Sequence, residues 1–300
     1  MRAFVSILVM FLSSSNYSLR SPVFALGRQD RHSKGGSPYN EETLKSLETR
    51  SEHFYTLQKT EREGGQVVGP DVSKLISRYP CILGMVPVGV QDDGHKWVCG
   101  LHAISGVPVV FSFGSFGVQD FELELLTLRP DARVFIFELM PDRLPTERDP
   151  RISYHPVGLG GYPNTDQLIN KDNQVKGAVM HSLSDLMRLC NVTHIDVLKM
   201  DIEGFEFQWL KHEAASTVPL VGQLLVEVHV KRSKSFFRPV IKEDAKWFVE
   251  QLEAMGLRLF SSEPNYRDTW KAVEFGLIQS ACSAWERKKL PINIQHIPGR

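Results

Sequence analysis

Short apolar runs alternate with longer segments of mixed apolar and polar residues over most of the chain after residue 71. Seven such runs stand at positions 108–113, 133–139, 152–159, 195–200, 223–230, 257–262 and 273–279. Several are continuously apolar rather than alternating, which is typical of strands that other elements cover on both faces. The pattern therefore predicts seven strands in a mostly parallel sheet.

Segments typical of helices lie between these runs, at positions 117–130, 181–190, 204–216 and 243–256. The last of them ends at Gly256, a residue type that favours the left-handed conformation after a helix C-terminus. Strands and helices that alternate at this rhythm form a parallel sheet with helices on both faces. We therefore predict a doubly wound α/β domain.

The N-terminal part of the chain differs from this pattern. An apolar stretch of about ten residues follows a single basic residue, and it is too short for a membrane-spanning helix, which needs about 20. Small residues at Ala25 and Gly27 favour a cleaved secretory signal peptide over residues 1–27. A serine-rich leader without acids also fits a transit peptide for import into an organelle. We interpret 28–70 as a polar stem and 71–300 as the main domain.

Composition limits the partners. Lysine and arginine together number 35, and so do aspartate and glutamate, so the formal net charge is zero. No broad positive field favours nucleic acid, and we expect membrane contact only through the leader, if it remains uncleaved. A hydrophobic content of 42% with 17 phenylalanines is that of a globular protein that buries a core.

The chain has four widely separated cysteines that form no CxxC pair: Cys81, Cys99, Cys190 and Cys282. This spacing does not favour a zinc site. Two disulfides in an oxidising compartment and four free buried thiols are both compatible with it. Glycosylation sequons begin at Asn16 and Asn191, of which only Asn191 lies beyond the leader.

Ligands of open α/β sheets bind at the carboxyl ends of the strands. The first predicted strand ends in a segment where Gly114 and Gly117 allow a tight turn and a close backbone approach to a ligand. A purely structural turn explains two glycines equally well. Glu138 ends the second predicted strand, 21 positions after Gly117, where a carboxylate can accept hydrogen bonds from both hydroxyls of a ribose. Nicotinamide dinucleotides and S-adenosylmethionine both fit these features.

Three carboxylates follow the fourth predicted strand within six positions, at Asp201, Glu203 and Glu206. Glu206 begins a predicted helix, whose dipole favours acids in its first turn. Asp201 lacks such an explanation, because the end of a buried strand is a costly place for a charge without function. Asp201 is therefore the strongest candidate for a role in chemistry.

The segment LKMDIEGFEFQWL, at 198–210, resembles the L-K-[MI]-D-[IV]-E-G-x-E motif of the FkbM-type methyltransferase family, especially its methyltransferase-like eukaryotic branch. Further similar segments are WVC at 97–99, VVFSFGSFGVQDFELEL at 109–125, VGLGG from Val157, and LLVEVHV at 224–230, in the position of the family's E-x-H strand. The resemblance extends over residues 90 to 280.

The resemblance implies a seven-stranded, Rossmann-like class I methyltransferase fold that binds S-adenosylmethionine. Matched position by position, it implies that four residues line the methionine and ribose: Phe113, Gly114, Ser115 and Gly117. It places Glu138 on the ribose hydroxyls, Gly158 and Leu159 near the adenine, and Asp201 facing the sulfonium or the acceptor. The second strand departs from the family pattern, because it ends in glutamate where aspartate is expected.

Transfer of a methyl group to a hydroxyl requires a group that removes the proton. Glu227 and His229 stand two apart on one predicted strand and so point to the same face. We predict His229 as the base, with Asp201 orienting the acceptor, although a structural buried histidine is an equal alternative. The remaining histidines lack metal-ligand spacing, so no catalytic metal is expected.

The FkbM-type relatives are associated with O-methylation, often of sugars, so the expected acceptor is a hydroxyl on a glycan or small metabolite. The main alternative is a methyltransferase-fold protein without turnover that serves as a binding or scaffold module. A nicotinamide-linked oxidoreductase is a third and weaker alternative, because the LKMDIEG segment disfavours it.

Overall fold

A computed structural model describes residues 81, 83–90, 95–162, 179–229, 245–264 and 272–279. The predicted leader over 1–27, the predicted stem over 28–70, Asn16 and Cys282 lie outside the described residues. These expectations, and the domain boundary at residue 71, stay predictions.

The strands of the described residues are β1 (Met85–Val88), β2 (Lys96–Cys99), β3 (Val109–Phe113), β4 (Arg133–Phe137), β5 (Ile152–His155), β6 (Gly158–Leu159), β7 (Met180–His181), β8 (Ile195–Met200), β9 (Val221–His229), β10 (Leu257–Pro264) and β11 (Ala272–Gln279). The α-helices are α1 (Asp120–Leu128), α2 (Leu183–Leu189), α3 (Glu206–His212), α4 (Ala214–Thr217) and α5 (Ala245–Ala254).

Seven of these strands form one sheet in the order β10-β11-β9-β8-β3-β4-β5. The pairs β5–β4, β4–β3, β3–β8 and β8–β9 are parallel, whereas β11 runs antiparallel to both of its neighbours. Within this sheet the chain first forms β3 at the centre, then β4 and β5 on one side of it, and then β8 on the other side of β3. This confirms the predicted doubly wound, mostly parallel seven-stranded sheet.

The sheet is buried on both faces. Phe111 and Phe113 of β3 belong to a core that also contains residues of α2, α3 and α5. Val110 of the same strand lies in a second core with residues of α1, β1 and β2. Successive side chains of a strand point to opposite faces of the sheet. Where other elements cover both faces, the side chains on both faces must therefore be apolar. All five residues of β3 are accordingly buried.

Two predicted elements are divided in the structure, and the single-element predictions are wrong. The run at 152–159 forms β5 and then leaves the main sheet at Pro156, whose lack of an N–H group prevents it from continuing the ladder. Its last residues, β6, pair in parallel with β7 instead. The predicted helix at 204–216 is likewise divided into α3 and α4, next to Glu213.

The sequence pattern did not reveal the antiparallel hairpin of β1 and β2. Cys81 and Cys99 form a disulfide at this hairpin, and Cys190 is a buried free thiol. Among the residues that the structure describes, none of the helices has the length and apolar character required to span a membrane.

Candidate active site

The carboxyl ends of β3, β4 and β8 meet at one rim of the sheet. In the strand register Phe113 of β3 pairs with Phe137 of β4 and with Met200 of β8. The next residue of each strand therefore lies at the same rim, and these residues are Gly114, Glu138 and Asp201. The sequence motifs that pointed to one site are brought together as expected.

A cleft opens at this rim and encloses about 670 Å³ of space, open solvent at its mouth included. Six of the eight predicted cofactor residues line it: Phe113, Gly114, Glu138, Gly158, Leu159 and Asp201. Ser115 and Gly117 do not. The lining combines apolar groups with a few carboxylates, as is common in small-molecule and cofactor sites.

Gly114 is required by the close approach of two strand ends. Its φ of 78° is in the left-handed region, and a Cβ atom there would lie 1.7 Å from the carbonyl oxygen of Asp201. Gly114 N–H donates to the carbonyl of Phe137, and Asp201 N–H donates to the carbonyl of Phe113, each at 3.1 Å. These bonds join the ends of β3, β4 and β8 into one rigid base for the cleft.

Ser115 follows Gly114 and is only 6% exposed. Its hydroxyl has no hydrogen-bond partner among the described residues. A buried hydroxyl without a partner is uncommon, and a polar ligand group is one way to satisfy it. Gly117 has a φ of 86°, so it permits the turn through its backbone conformation. Close packing is not the reason for glycine there, because the nearest atom would be 3.7 Å from an added Cβ.

Glu138 is anchored at the cleft by two loops. Its Oε2 accepts from Phe116 N–H at 2.9 Å, and its Oε1 accepts from Met140 N–H at 3.0 Å. The residue is 4% exposed and lines the cleft. Because each carboxylate oxygen has two lone pairs, both remain able to accept a further bond from a ligand hydroxyl. The arrangement fits a ribose diol.

The three carboxylates after β8 have different environments. Asp201 and Glu203 line the cleft, with 29% and 50% of their side chains exposed. Glu206 is fully buried, and its Oε1 accepts from Ile202 N–H at 2.9 Å. That bond closes the turn between β8 and α3, as a carboxylate in a first helical turn often does. The same oxygen lies 3.2 Å from His229 Nδ1.

His229, at the end of β9, is 3% exposed and does not line the cleft. Burial alone would lower its pKa, but the nearby Glu206, Asp201 and Glu203 carboxylates raise the pKa to about 9. These carboxylates favour the protonated imidazole, which is unsuited to accept a further proton. Its role as the general base stays a prediction, and the geometry favours a part in holding the carboxylates.

Glu227, the other predicted catalytic residue of β9, is 4% exposed and does not line the cleft. Lys96 Nζ lies 3.9 Å from Glu227 and 2.7 Å from Glu274. Burial, together with the charges of Asp201 and Glu274, raises the pKa of Glu227 well above its usual value. The charge network thus extends from Asp201 to Lys96 of the β1–β2 hairpin.

Asp201, Glu227 and His229 also form a group with the composition of a metal site. One ligand atom from each lies within 4.8 Å of the other two. The sequence did not predict a metal site here, because these residues come from two neighbouring strands and do not have metal-ligand spacing along the chain. Lys96 of β2 and Glu274 of β11 were also not predicted to belong to the site, because only the pairing of strands brings them near it.

The strand order and the cleft define a Rossmann-like class I methyltransferase fold. The chain belongs to the methyltransferase domain family, whose model matches residues 78–279. S-adenosylmethionine, the predicted cofactor, is the methyl donor of this class, so the cofactor prediction is confirmed at the level of the family.

Solved structures with a similar arrangement include TrmK of M. capricolum in complex with S-adenosyl-homocysteine, with 8% identity over 60% of this chain and 66% of that chain and a TM-score of 0.33. A fibrillarin pre-rRNA processing protein of Methanococcus jannaschii has 14% identity over 65% of this chain and 88% of that chain, with a TM-score of 0.34. A Burkholderia thailandensis 1,6-didemethyltoxoflavin-N1-methyltransferase has 12% identity over 82% of this chain and 94% of that chain, with a TM-score of 0.34. No curated protein matches the chain.

Proposed function

We propose that the protein is an S-adenosylmethionine-dependent O-methyltransferase of the eukaryotic FkbM-type branch, acting on a hydroxyl of a glycan or small metabolite. The single observation that supports this most is the convergence of Gly114, Glu138 and Asp201 on one cleft. The LKMDIEG segment at 198–204 supports the branch, and the absence of net charge is consistent with an acceptor other than nucleic acid.

Different residues of the cleft would contact different parts of the cofactor. Glu138 would accept hydrogen bonds from the ribose hydroxyls, and Gly158 with Leu159 would offer an apolar wall to the adenine. Gly114 permits a close approach of the backbone to the methionine part. S-adenosylmethionine supplies a methyl group that is already activated on a sulfonium. The protein then has to hold the acceptor oxygen in line with that methyl group, which is a matter of positioning.

Asp201 is the residue placed to orient the acceptor. Its carboxylate lines the cleft and is partly exposed, and His229 Nε2 lies 3.8 Å behind it. That carboxylate can accept a hydrogen bond from the acceptor hydroxyl and take its proton while the methyl group leaves the sulfonium, which becomes the thioether of S-adenosylhomocysteine. His229 and Glu227 then act as positioning residues.

Incubation with methyl-labelled S-adenosylmethionine and panels of glycans, metabolites, lipids and RNA tests this proposal. We expect label in one class of hydroxyl compound. Asp201→Asn should reduce the rate about 100-fold or more, because it removes the charge that orients the acceptor, while cofactor affinity changes little. A labelled RNA or amine product would contradict the acceptor class, and an unchanged rate in Asp201→Asn would remove the role of Asp201.

The main alternative is a binding module without turnover. It would bind S-adenosylhomocysteine with the same residues but transfer no label to any acceptor. We favour the enzyme because the carboxylate of Asp201 remains accessible in the cleft, whereas a module that only binds the cofactor does not need it.

We also propose that the protein enters the secretory pathway, rather than an organelle by import. The disulfide between Cys81 and Cys99 supports this, because disulfides persist in oxidising compartments.

Asn191 provides a test of this localisation. It is exposed in the structure, directly after α2, and its sequon continues through Val192 and Thr193. The full chain expressed in cells with a secretory pathway should carry one glycan there, so N-glycanase should lower its mass, and Asn191→Gln should abolish that shift. An unglycosylated protein found in the cytosol or an organelle would contradict the proposal.

A further inference from the structure

We propose that Asp201, Glu227 and His229 bind a divalent transition-metal cation, such as Mn²⁺, next to the cofactor cleft. The three side chains offer two carboxylate oxygens and one imidazole nitrogen, and these atoms lie within 4.8 Å of one another. Mixed oxygen and nitrogen donors of this kind suit Mn²⁺, Fe²⁺ or Zn²⁺ better than Mg²⁺ or Ca²⁺.

The orientation of His229 is the first reason. Its Nδ1–H donates to Glu206 Oε1 at 3.2 Å, which directs Nε2 toward the two proposed carboxylate ligands. Metal-binding histidines usually donate their other ring N–H to a carboxylate in this way, since the bond fixes the tautomer and the ring angle. Glu206 is fully buried and is held in turn by Ile202 N–H.

The contacts of Nε2 are the second reason. His229 is 3% exposed, and its Nε2 faces three carboxylates. Glu227 Oε1 lies 3.4 Å from Nε2, and Asp201 Oδ1 and Glu203 Oε2 each lie 3.8 Å from it. Metal–ligand bonds of about 2.1 Å place neighbouring ligand atoms about 3.0–3.5 Å apart. The three proposed ligand atoms lie within 4.8 Å of one another, so they would have to move slightly closer together around an ion.

The balance of charge is the third reason. The carboxylates of Asp201, Glu203, Glu206 and Glu227 surround one imidazole, and Glu274 adds a fifth carboxylate. Lys96 is the other cation of this network within the described residues. Glu206 and Glu227 are buried, and buried carboxylates are costly unless a cation lies beside them, so a divalent cation would offset part of that cost.

A metal at this position would be adjacent to Asp201, which lines the cleft. A cation there could polarise an acceptor hydroxyl and lower its pKa, which would make it easier for solvent water to take the proton. This role rests on the proposed function, whereas the metal site itself does not.

Titration of the chelator-treated full chain with Mn²⁺, followed by the electron paramagnetic resonance signal of free Mn²⁺, tests the site. We expect one saturable site per chain, and Zn²⁺ should compete for it. Glu206→Gln should weaken binding about 10- to 100-fold, because the histidine loses its orienting partner. Asp201→Asn and Glu227→Gln should weaken it at least as much. Glu147→Gln, an exposed carboxylate outside the cluster, should bind as the wild type does.

Absence of saturable Mn²⁺ and Zn²⁺ binding to the wild type would overturn the proposal, even if a variant fails to fold. Wild-type affinity in Asp201→Asn and Glu227→Gln would also overturn it, because the ion would then bind elsewhere. The titration contains no cofactor. A protein that binds Mn²⁺ but not S-adenosylhomocysteine therefore contradicts only the proposed function, and the reverse result contradicts only the metal site.

Discussion

Replacement of Gly114 by alanine is expected to lower the free energy of unfolding by about 3 kcal/mol or more, and to abolish cofactor binding. An alanine Cβ would lie 1.7 Å from the carbonyl oxygen of Asp201, so the ends of β3 and β8 would have to separate. The left-handed φ of 78° adds strain for any residue with a side chain. Urea denaturation measures the loss of stability, and calorimetry with S-adenosylhomocysteine measures binding.

Gly117→Ala is the matched control for this variant. Its φ of 86° is similarly strained, but the nearest atom to an added Cβ is the carbonyl oxygen of Arg143 at 3.7 Å, an ordinary contact. It should therefore cost only about 1–2 kcal/mol. If the two variants lose equal stability, the close approach of Gly114 to Asp201 does not hold the site together.

Substitution of Glu138 by glutamine should raise the dissociation constant for S-adenosylhomocysteine about 10- to 100-fold. The neutral side chain loses hydrogen bonds of an ionised acceptor to the ribose, which are worth about 1.5–3 kcal/mol. Glutamine also has one oxygen for the two N–H groups of Phe116 and Met140, so both loops should loosen. Calorimetry measures the affinity, and thermal unfolding shows whether the domain remains folded.

Glu147→Gln makes the same chemical change at an exposed position outside the cleft and should leave affinity unchanged. Wild-type affinity in Glu138→Gln would show that the ribose lies elsewhere. A similar loss in both variants would indicate a general effect of net charge rather than a contact in the cleft.

The sheet was predictable from the sequence because strands that are covered on both faces consist of continuous apolar runs. β3, β4, β8 and β9 each carry such a run, and their alternation with helices indicates that they are parallel. The convergence of Gly114, Glu138 and Asp201 was also predictable, since parallel strands end at one rim. The short strands β1 and β2 could not be recognised in this way, because each has only four residues and such short segments also occur in many loops.

The environment of His229 could not be predicted in the same way. Its partners come from β8, α3 and β9 itself, and the network continues to Lys96 on β2 and Glu274 on β11. Only the register between strands determines which of these side chains meet, and apolar periodicity does not specify register for charged residues. The sequence could therefore nominate His229 as a base but could not show that four carboxylates surround it.

The cysteine pairing illustrates the same limit. The sequence allowed two disulfides or none. Among the described residues, Cys81 and Cys99 form a disulfide and Cys190 is a buried free thiol. A disulfide needs two Cα atoms within about 7 Å, which is a property of the folded hairpin rather than of spacing along the chain.

Calorimetric titration of S-adenosylhomocysteine into the wild-type chain is the most direct test of the cofactor site. We expect binding of one molecule per chain, and competition by S-adenosylmethionine but not by NAD. No detectable heat and no thermal shift at millimolar ligand would contradict it, because a cleft built from Gly114, Glu138 and Asp201 would then serve some other molecule.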